Sequence, residues 1–115
     1  MELDPNCLFC KIIVGEIPAE IIFRNENVVA FRDITPQAPT HVLLVPTLHI
    51  EDSAELARLS PTVLGALFTA AGEIAASAGL DGYRIVFNTG ASAGQSVFHV
   101  HLHLLGGRPF LWPPG

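Results

Sequence analysis

The sequence predicts one α+β domain over residues 1–115: a mostly antiparallel five-stranded sheet, one long helix and a short N-terminal helix. Three observations carry this. Short runs rich in β-branched and aromatic residues, Ile21 to Arg24 and Val28 to Arg32, flank the turn residues Asn25, Glu26 and Asn27. A long apolar stripe at helical spacing follows Ser60-Pro61. Histidine then alternates with apolar residues from His99 to Leu104, the period of a half-buried strand.

Taken in order, Cys7 to Val14 is an apolar run closed by Gly15, which predicts a short helix with a glycine stop. The two runs around Asn25–Asn27 predict a hairpin. Pro36 and Pro39 break the chain, and His41 to Val45 is a third strand ended by Pro46. Asp52 to Leu59 is a helical turn before the main helix. Ser60 at the N-cap and Pro61 in the first helical position open that helix. Val63, Leu64, Leu67, Phe68, Ala71, Ile74, Ala75 and Ala78 form its stripe and Gly79 closes it. Tyr83 to Asn88 and Val97 to Leu105 supply strands four and five.

Composition excludes several classes of function. The net charge is −5 and no basic run exceeds one residue, which argues against nucleic acid as a partner. Met1 to Asn6 carries Glu2 and Asp4 and no apolar core, so it does not read as a signal peptide. No apolar stretch reaches the roughly 18 residues that a membrane span requires, and the expected location is cytoplasmic. Half the residues are hydrophobic and 15% are charged, a balance that suggests surface buried in a partner subunit.

The chemistry concentrates at His99, His101 and His103. On a strand these imidazoles share one face, with neighbours roughly 7 Å apart, while Val100, Leu102 and Leu104 take the other. Such a row can hold a metal or surround a phosphoryl group with nucleophile and acid, the bland alternative being three satisfied strand histidines. The loop just before it, Asn88 to Ser96, is rich in small residues. Gly90 and Gly94 admit close backbone approach to a ligand, and Gln95 and Ser96 add side-chain donors, so the loop is a candidate anion nest. Cys7-x-x-Cys10 is a ligand pair, a redox pair or two plain thiols; no thioredoxin-like unit follows it.

Gln95-Ser96-Val97-Phe98-His99-Val100-His101-Leu102-His103-Leu104-Leu105 resembles the signature of the histidine triad (HIT) family. Lys11-Ile12-Ile13, Gly15-Glu16-Ile17-Pro18-Ala19, Asp33 to His41, Leu105-Gly106-Gly107-Arg108 and Trp112-Pro113-Pro114-Gly115 extend the resemblance along nearly the whole chain. The branch resembled is that of the histidine-triad nucleotide-binding proteins, purine nucleoside phosphoramidases. The resemblance implies a HIT-like domain that cleaves the P–N bond of nucleoside 5′-monophosphate conjugates, phosphoramidates and aminoacyl-adenylates, through a covalent nucleotidyl-histidine.

In that scheme His101 is the nucleophile, a nearby backbone carbonyl sets its tautomer, and His103 stabilises charge on the phosphate. Ser96 bonds the phosphate or assists the leaving amine, and His41 orients a triad imidazole. Gly94 and Gln95 support the pocket. Asn88 contacts ribose and phosphate, and Asp33 accepts ribose hydroxyls. Phe9, Ile12, Ile17, Phe31 and Ile34 match an apolar purine slot, although each would serve equally as core. The resemblance further implies a structural zinc on Cys7, Cys10, His49 and His99, no cofactor for catalysis, and a homodimer whose Trp112 tail borders the partner's site. Thr47-Leu48 departs from the lysines common in this branch, and Arg32 occupies a variable position. Two other readings stay open: a metallohydrolase with His99, His101 and His103 as zinc ligands, and a purine nucleotide-binding module acting through protein partners.

Overall fold

The computed structural model describes residues 2–115. The elements run α1 (Leu8–Ile13), β1 (Ile21–Arg24), β2 (Val28–Arg32), β3 (Thr40–Pro46), α2 (Ser53–Leu59), α3 (Pro61–Ser77), β4 (Tyr83–Val86), a 3-10 turn (Ala91–Ala93) and β5 (Leu102–Gly106). The five strands form one antiparallel sheet in the order β1-β2-β3-β5-β4. The α+β class, the five strands and the two helices expected are all present. Among the described residues no helix is long and apolar enough to cross a membrane.

Local chemistry sets the helix ends. Cys7 caps α1 and Asp52 caps α2, the latter accepting from Glu55 N–H at 2.9 Å; the Ser60 hydroxyl caps α3. Both glycine stops close their helices in the same way. Gly15 (φ +83) donates to Ile12 O while Glu16 donates to Lys11 O, and Gly79 (φ +67) donates to Ala76 O while Leu80 donates to Ala75 O. These paired bonds satisfy carbonyls the helix leaves free, and the positive φ favours a residue without Cβ.

The sheet is buried on both faces. Val28, Ala30, Val42, Leu44, Leu102 and Leu104 face α3, where Val63, Leu67, Ala71 and Ile74 pack on them. Val29, Phe31, Leu43 and Val45 face the other way and pack with Phe9, Cys10, Ile12 and Ile13 of α1. The short helix therefore covers the second face. The predicted helical stripe is mostly inside, but Phe68 is 45% exposed and Ala78 lies on the surface.

The last two strands are shorter than the sequence suggests. β4 ends at Val86, and β5 begins at Leu102, so His99 and His101 precede the strand. The register Leu43↔His103 and Leu44↔Leu102 would next pair Val45 with His101 and Pro46 with Val100. Pro46 has no N–H to give. Its carbonyl is taken by the His99 ring, the His99 carbonyl is taken by the His101 ring, and Val100 N–H turns to Ile50 O at 2.7 Å. The ladder ends because its partners are used elsewhere. The side-chain alternation survives: Val100, Leu102 and Leu104 lie on the α3 face, as expected.

Leu67 sits at the centre of the α3–sheet contact. Leu67→Ala should cost about 3 kcal/mol, whereas Glu73→Ala on the exposed side should stay within about 0.5 kcal/mol. Urea unfolding midpoints, with unchanged m-values, check both.

Candidate functional site

The site lies on the α1 face of the sheet, where β3, β5 and the segment before β5 meet α1. His41 stands opposite Leu105 and Leu43 opposite His103, so His41 and His103 are diagonal neighbours on adjacent strands. His41 Nε2 and His103 Nδ1 are 2.9 Å apart. The His101 ring lies 5.0 Å from that of His103, and the Phe9 ring meets His101 edge-on at 5.0 Å.

Each ring has one nitrogen whose role its neighbours settle. Gln37 N–H donates to His41 Nδ1 at 3.0 Å, so that nitrogen carries no proton and neutral His41 carries its proton on Nε2. His41 Nε2–H then donates to His103 Nδ1, which leaves the His103 proton on Nε2. That atom is buried with no partner, the only such side-chain nitrogen or oxygen among the described residues. His101 Nδ1–H donates to the His99 carbonyl at 2.9 Å, so the lone pair of His101 resides on Nε2. The backbone carbonyl expected to set the tautomer of the middle histidine is thus that of His99.

All three rings are held neutral near pH 7. Burial, then the nearby His101 and His41, pushes His103 down to about 4, against an opposing pull from Asp33. Burial lowers His101 and His41 too, with the His99 carbonyl opposing it at His101 and Asp33 opposing it at His41. The result is a lone pair on His101 Nε2 beside a free N–H on His103: a nucleophile next to a donor for developing negative charge.

The second cluster joins Cys7, Cys10, His49 and His99, whose ligand atoms all lie within 4.8 Å of one another. His99 Nδ1 is 3.5 Å from Cys7 Sγ and 3.4 Å from Cys10 Sγ, and His49 Nδ1 is 3.3 Å from Cys10 Sγ. Zinc–ligand bond lengths in a tetrahedron put S and N about 3.6 Å apart, so this donor set fits zinc. Its supports are those a metal centre needs. His99 Nε2–H donates to Pro46 O at 3.0 Å, which frees Nδ1, and the amides of Cys10 and Asp4 donate to Cys7 Sγ and Cys10 Sγ. Burial pushes His99 down to about 4, so it stays neutral, and pushes the metal-free Cys10 thiol up to about 11; a cation reverses that preference.

Proximity alone would also nominate Asp33, His41 and His103 as a metal group. The hydrogen bonds argue against it: His41 must carry its proton on Nε2, the atom that would have to ligate. The three triad histidines do not share one centre either. His99 turns to the cysteines, His101 to a carbonyl and His103 to His41, which removes the geometric basis for the metallohydrolase alternative.

The remaining candidate residues fall into three groups. Phe9, Ile12 and Phe31 are buried in the apolar cluster behind the histidines, with Ile17 packed at its edge, whereas Ile34 is 97% exposed. Asp33 accepts from Thr35 N–H through Oδ1, and its Oδ2 lies 3.4 Å from His41 Nε2. In the loop, Gln95 is buried and its amide is consumed: Oε1 accepts from Gly90 N–H, and Nε2 donates to Glu51 O and Val97 O. Its side chain braces the loop instead of offering a donor. Asn88 is half-buried and 4.0 Å from the point a Cβ on Gly94 would occupy. Ser96 is exposed and lines a cavity of about 360 Å³ with Cys7, His49, Val97 and Phe98. Trp112 is 83% exposed. Three parts escaped the sequence, Gln37 N–H, the Pro46 carbonyl and the identity of the carbonyl on His101. All are backbone groups, on which residue type carries no signal.

A HIT domain family model matches residues 14–110. The chain is 46% identical over 104 residues to the purine nucleoside phosphoramidase of Escherichia coli strain K12, covering 89% of this chain and 87% of that protein. It is 47% identical over 115 residues to the 14 kDa zinc-binding protein of Zea mays, covering 97% and 90% respectively. The solved structure of a HIT family hydrolase from Legionella pneumophila Philadelphia 1 superposes with a TM-score of 0.92 at 50% identity, covering 96% of this chain and all of that one. A match across most of the chain, at this identity and with this fold, means that the protein belongs to the HIT domain family.

Proposed function

We propose that the protein is a hydrolase of nucleoside 5′-monophosphate conjugates, purine phosphoramidates and aminoacyl-adenylates, that works through a nucleotidyl-His101 intermediate. The observation that carries the reading is that the His101 ring, with its Nε2 lone pair free, lies 5.0 Å from the His103 ring, whose Nε2–H is unpartnered. The identity to a purine nucleoside phosphoramidase supports the substrate class.

In the first step the His101 Nε2 lone pair attacks the α-phosphorus as the bond to the leaving group breaks: the P–N bond of a phosphoramidate, whose nitrogen takes a proton from solvent and departs as the amine, or the P–O bond of an aminoacyl-adenylate, whose leaving group departs as a carboxylate. His101 Nδ1–H keeps its bond to the His99 carbonyl, which stabilises the cationic nucleotidyl-imidazole. His103 Nε2–H donates to a non-bridging phosphate oxygen as negative charge develops. In the second step water attacks the same phosphorus, the P–N bond to His101 breaks, and the monophosphate leaves as water's proton passes to solvent. Asp33 is the candidate for the ribose hydroxyls, Asn88 for ribose and phosphate, and Ser96 for the phosphate or the departing amine. Phe9, Ile12 and Phe31 supply the apolar backing for a purine, with Ile34 a cover from outside.

Cys7, Cys10, His49 and His99 would hold a structural zinc, whose contribution is to tie α1 to the segment before β5. The proposal extends to a homodimer, in which a second subunit covers the exposed Leu111 and Trp112.

His101→Ala should lower turnover of an adenosine phosphoramidate by about 10³-fold or more, and His103→Gln by about 10²-fold. Steady-state kinetics on matched preparations check both, and wild-type turnover at the level of His101→Ala would sink the reading. Purified protein should carry about one zinc per chain. Cys10→Ala should lose it and melt lower, by metal analysis and calorimetry. Turnover should persist in external chelator while the structural zinc stays on the chain; loss of turnover with that zinc still bound and the fold intact would point instead to catalysis by a chelatable metal.

Acid sensitivity follows from His103, faced by His41, His101 and Asp33. Its pKa in the fold is about 4 against an ordinary 6.5, so the unfolded chain binds that proton more readily. The stability it contributes is full above pH 6.5 and is lost as pH falls towards 4. Thermal melts between pH 7 and 4 should fall less steeply for His103→Asn than for wild type.

A further inference from the structure

The backbone of Gln37 is gripped from two directions. Its N–H donates to His41 Nδ1, the bond that fixes the His41–His103 tautomers. Its carbonyl accepts two bonds from the Arg108 guanidinium, from Nε at 3.1 Å and Nη2 at 3.0 Å. Arg108 itself is held in place. Its Nη1 donates to Pro109 O, and the Phe110 ring lies 4.3 Å beneath its Cζ, with Arg84 at 5.1 Å from the same ring. Arg84 Nη2 in turn donates to Leu111 O. The preceding residue seals the joint: a Cβ on Gly107 would come within 2.9 Å of Pro39 Cβ, so tail and loop are in close contact just beyond β5.

We infer that Arg108 is a positioning residue for the triad: its forked grip on the Gln37 carbonyl holds the Pro36–Pro39 loop so that Gln37 N–H keeps His41 and His103 in the tautomers that leave the His103 Nε2–H free. The planar guanidinium suits this task because two parallel donors fix a direction as well as a distance. Four bonds would separate Arg108 from a phosphate held by His103, and each link fixes the next. Gln37 N–H has His41 Nδ1 as its acceptor; once that nitrogen accepts, the proton of neutral His41 is on Nε2; once Nε2–H donates, the proton of His103 is on its own Nε2. If the loop drifts, His41 Nδ1 loses its donor and both tautomers of each ring become accessible. The contribution to turnover rests on the function proposed above; the contribution to the tautomers does not.

The test uses the full chain with its metal complement, isotope-labelled at the histidine ring nitrogens, and reads tautomers by long-range proton–nitrogen spectra. Wild type should show His41 and His103 each protonated on Nε2. In Arg108→Ala the signals of both rings should move towards a mixture of tautomers, with kcat down about tenfold and KM within about twofold, the signature of a misaligned donor. Arg108→Lys, which retains one donor to the Gln37 carbonyl, should recover more than half of kcat and of the tautomer shift, and it carries the test if the alanine variant does not fold. Arg108→Ala with wild-type tautomers overturns the inference, whether kcat stays or falls. His101→Ala should abolish turnover and leave the tautomers of His41 and His103 as in wild type, so a failure of the proposed reaction is read separately from a failure of the relay.

Discussion

The hydrogen bond from His101 Nδ1–H to the His99 carbonyl ties the two halves of this structure together. At His101 it decides which nitrogen holds the lone pair. At His99 it occupies the carbonyl that a strand ladder would otherwise use, which helps to end β5 at Leu102. The ring of the same His99 points its Nδ1 at Cys7 and Cys10 and its Nε2 at the Pro46 carbonyl. One residue thus serves the Cys7–Cys10–His49 cluster with its side chain and the His101 ring with its backbone. An ion bound to that cluster would fix the His99 ring, and with it the carbonyl that His101 reads. The cluster can matter to the chemistry without touching substrate.

The position of α1 follows from the same constraint. A helix of six residues buries little surface by itself and is not stable alone. Here it sets Cys7 and Cys10 on the ligand cluster and Phe9, between them, against His101 and Phe31. The N-terminal segment therefore has an apolar anchor on one face of the sheet, and an ion on the four ligands would add a second, coordinating one. Oxidation of the thiols would release the second and leave only the first.

Elements with local signals were legible in the sequence. The hairpin strands, α3 from Pro61 to Ser77 and both glycine stops depend on turn, cap and periodicity chemistry within a few residues, and they fall where those signals put them. The ends of β4 and β5 did not, because a strand ends where its partner stops offering bonds, and that partner is distant in sequence. At the site, Cys7, Cys10, His49 and His99 converge as the family resemblance implied, and so do His41 and His103. Gln95 is the instructive case. Its amide looks like a free ligand-binding group in a small-residue loop, yet burial obliges it to satisfy Gly90, Glu51 and Val97. Residue type told of capacity to bond; only the fold told which partner claimed it.

Among the described residues one buried side-chain nitrogen is left without a partner. His41, Gln95 and His99 are buried polar residues whose hydrogen bonds are met within the chain, and His101 keeps only its Nε2 lone pair free. His103 Nε2–H is buried and spends none. An unmet buried donor costs about 1–3 kcal/mol, and here the surrounding bonds do not relieve that cost but enforce it, since Gln37 and His41 together keep the proton on that nitrogen. An apolar side chain of similar shape in its place would relieve that cost and remove the donor. Local instability held in place by a rigid network marks a position shaped for something that arrives from outside. A phosphate oxygen beside the His101 lone pair would satisfy the donor at the moment charge forms on it, so the cost of the unmet donor would become binding energy available where the bond is broken.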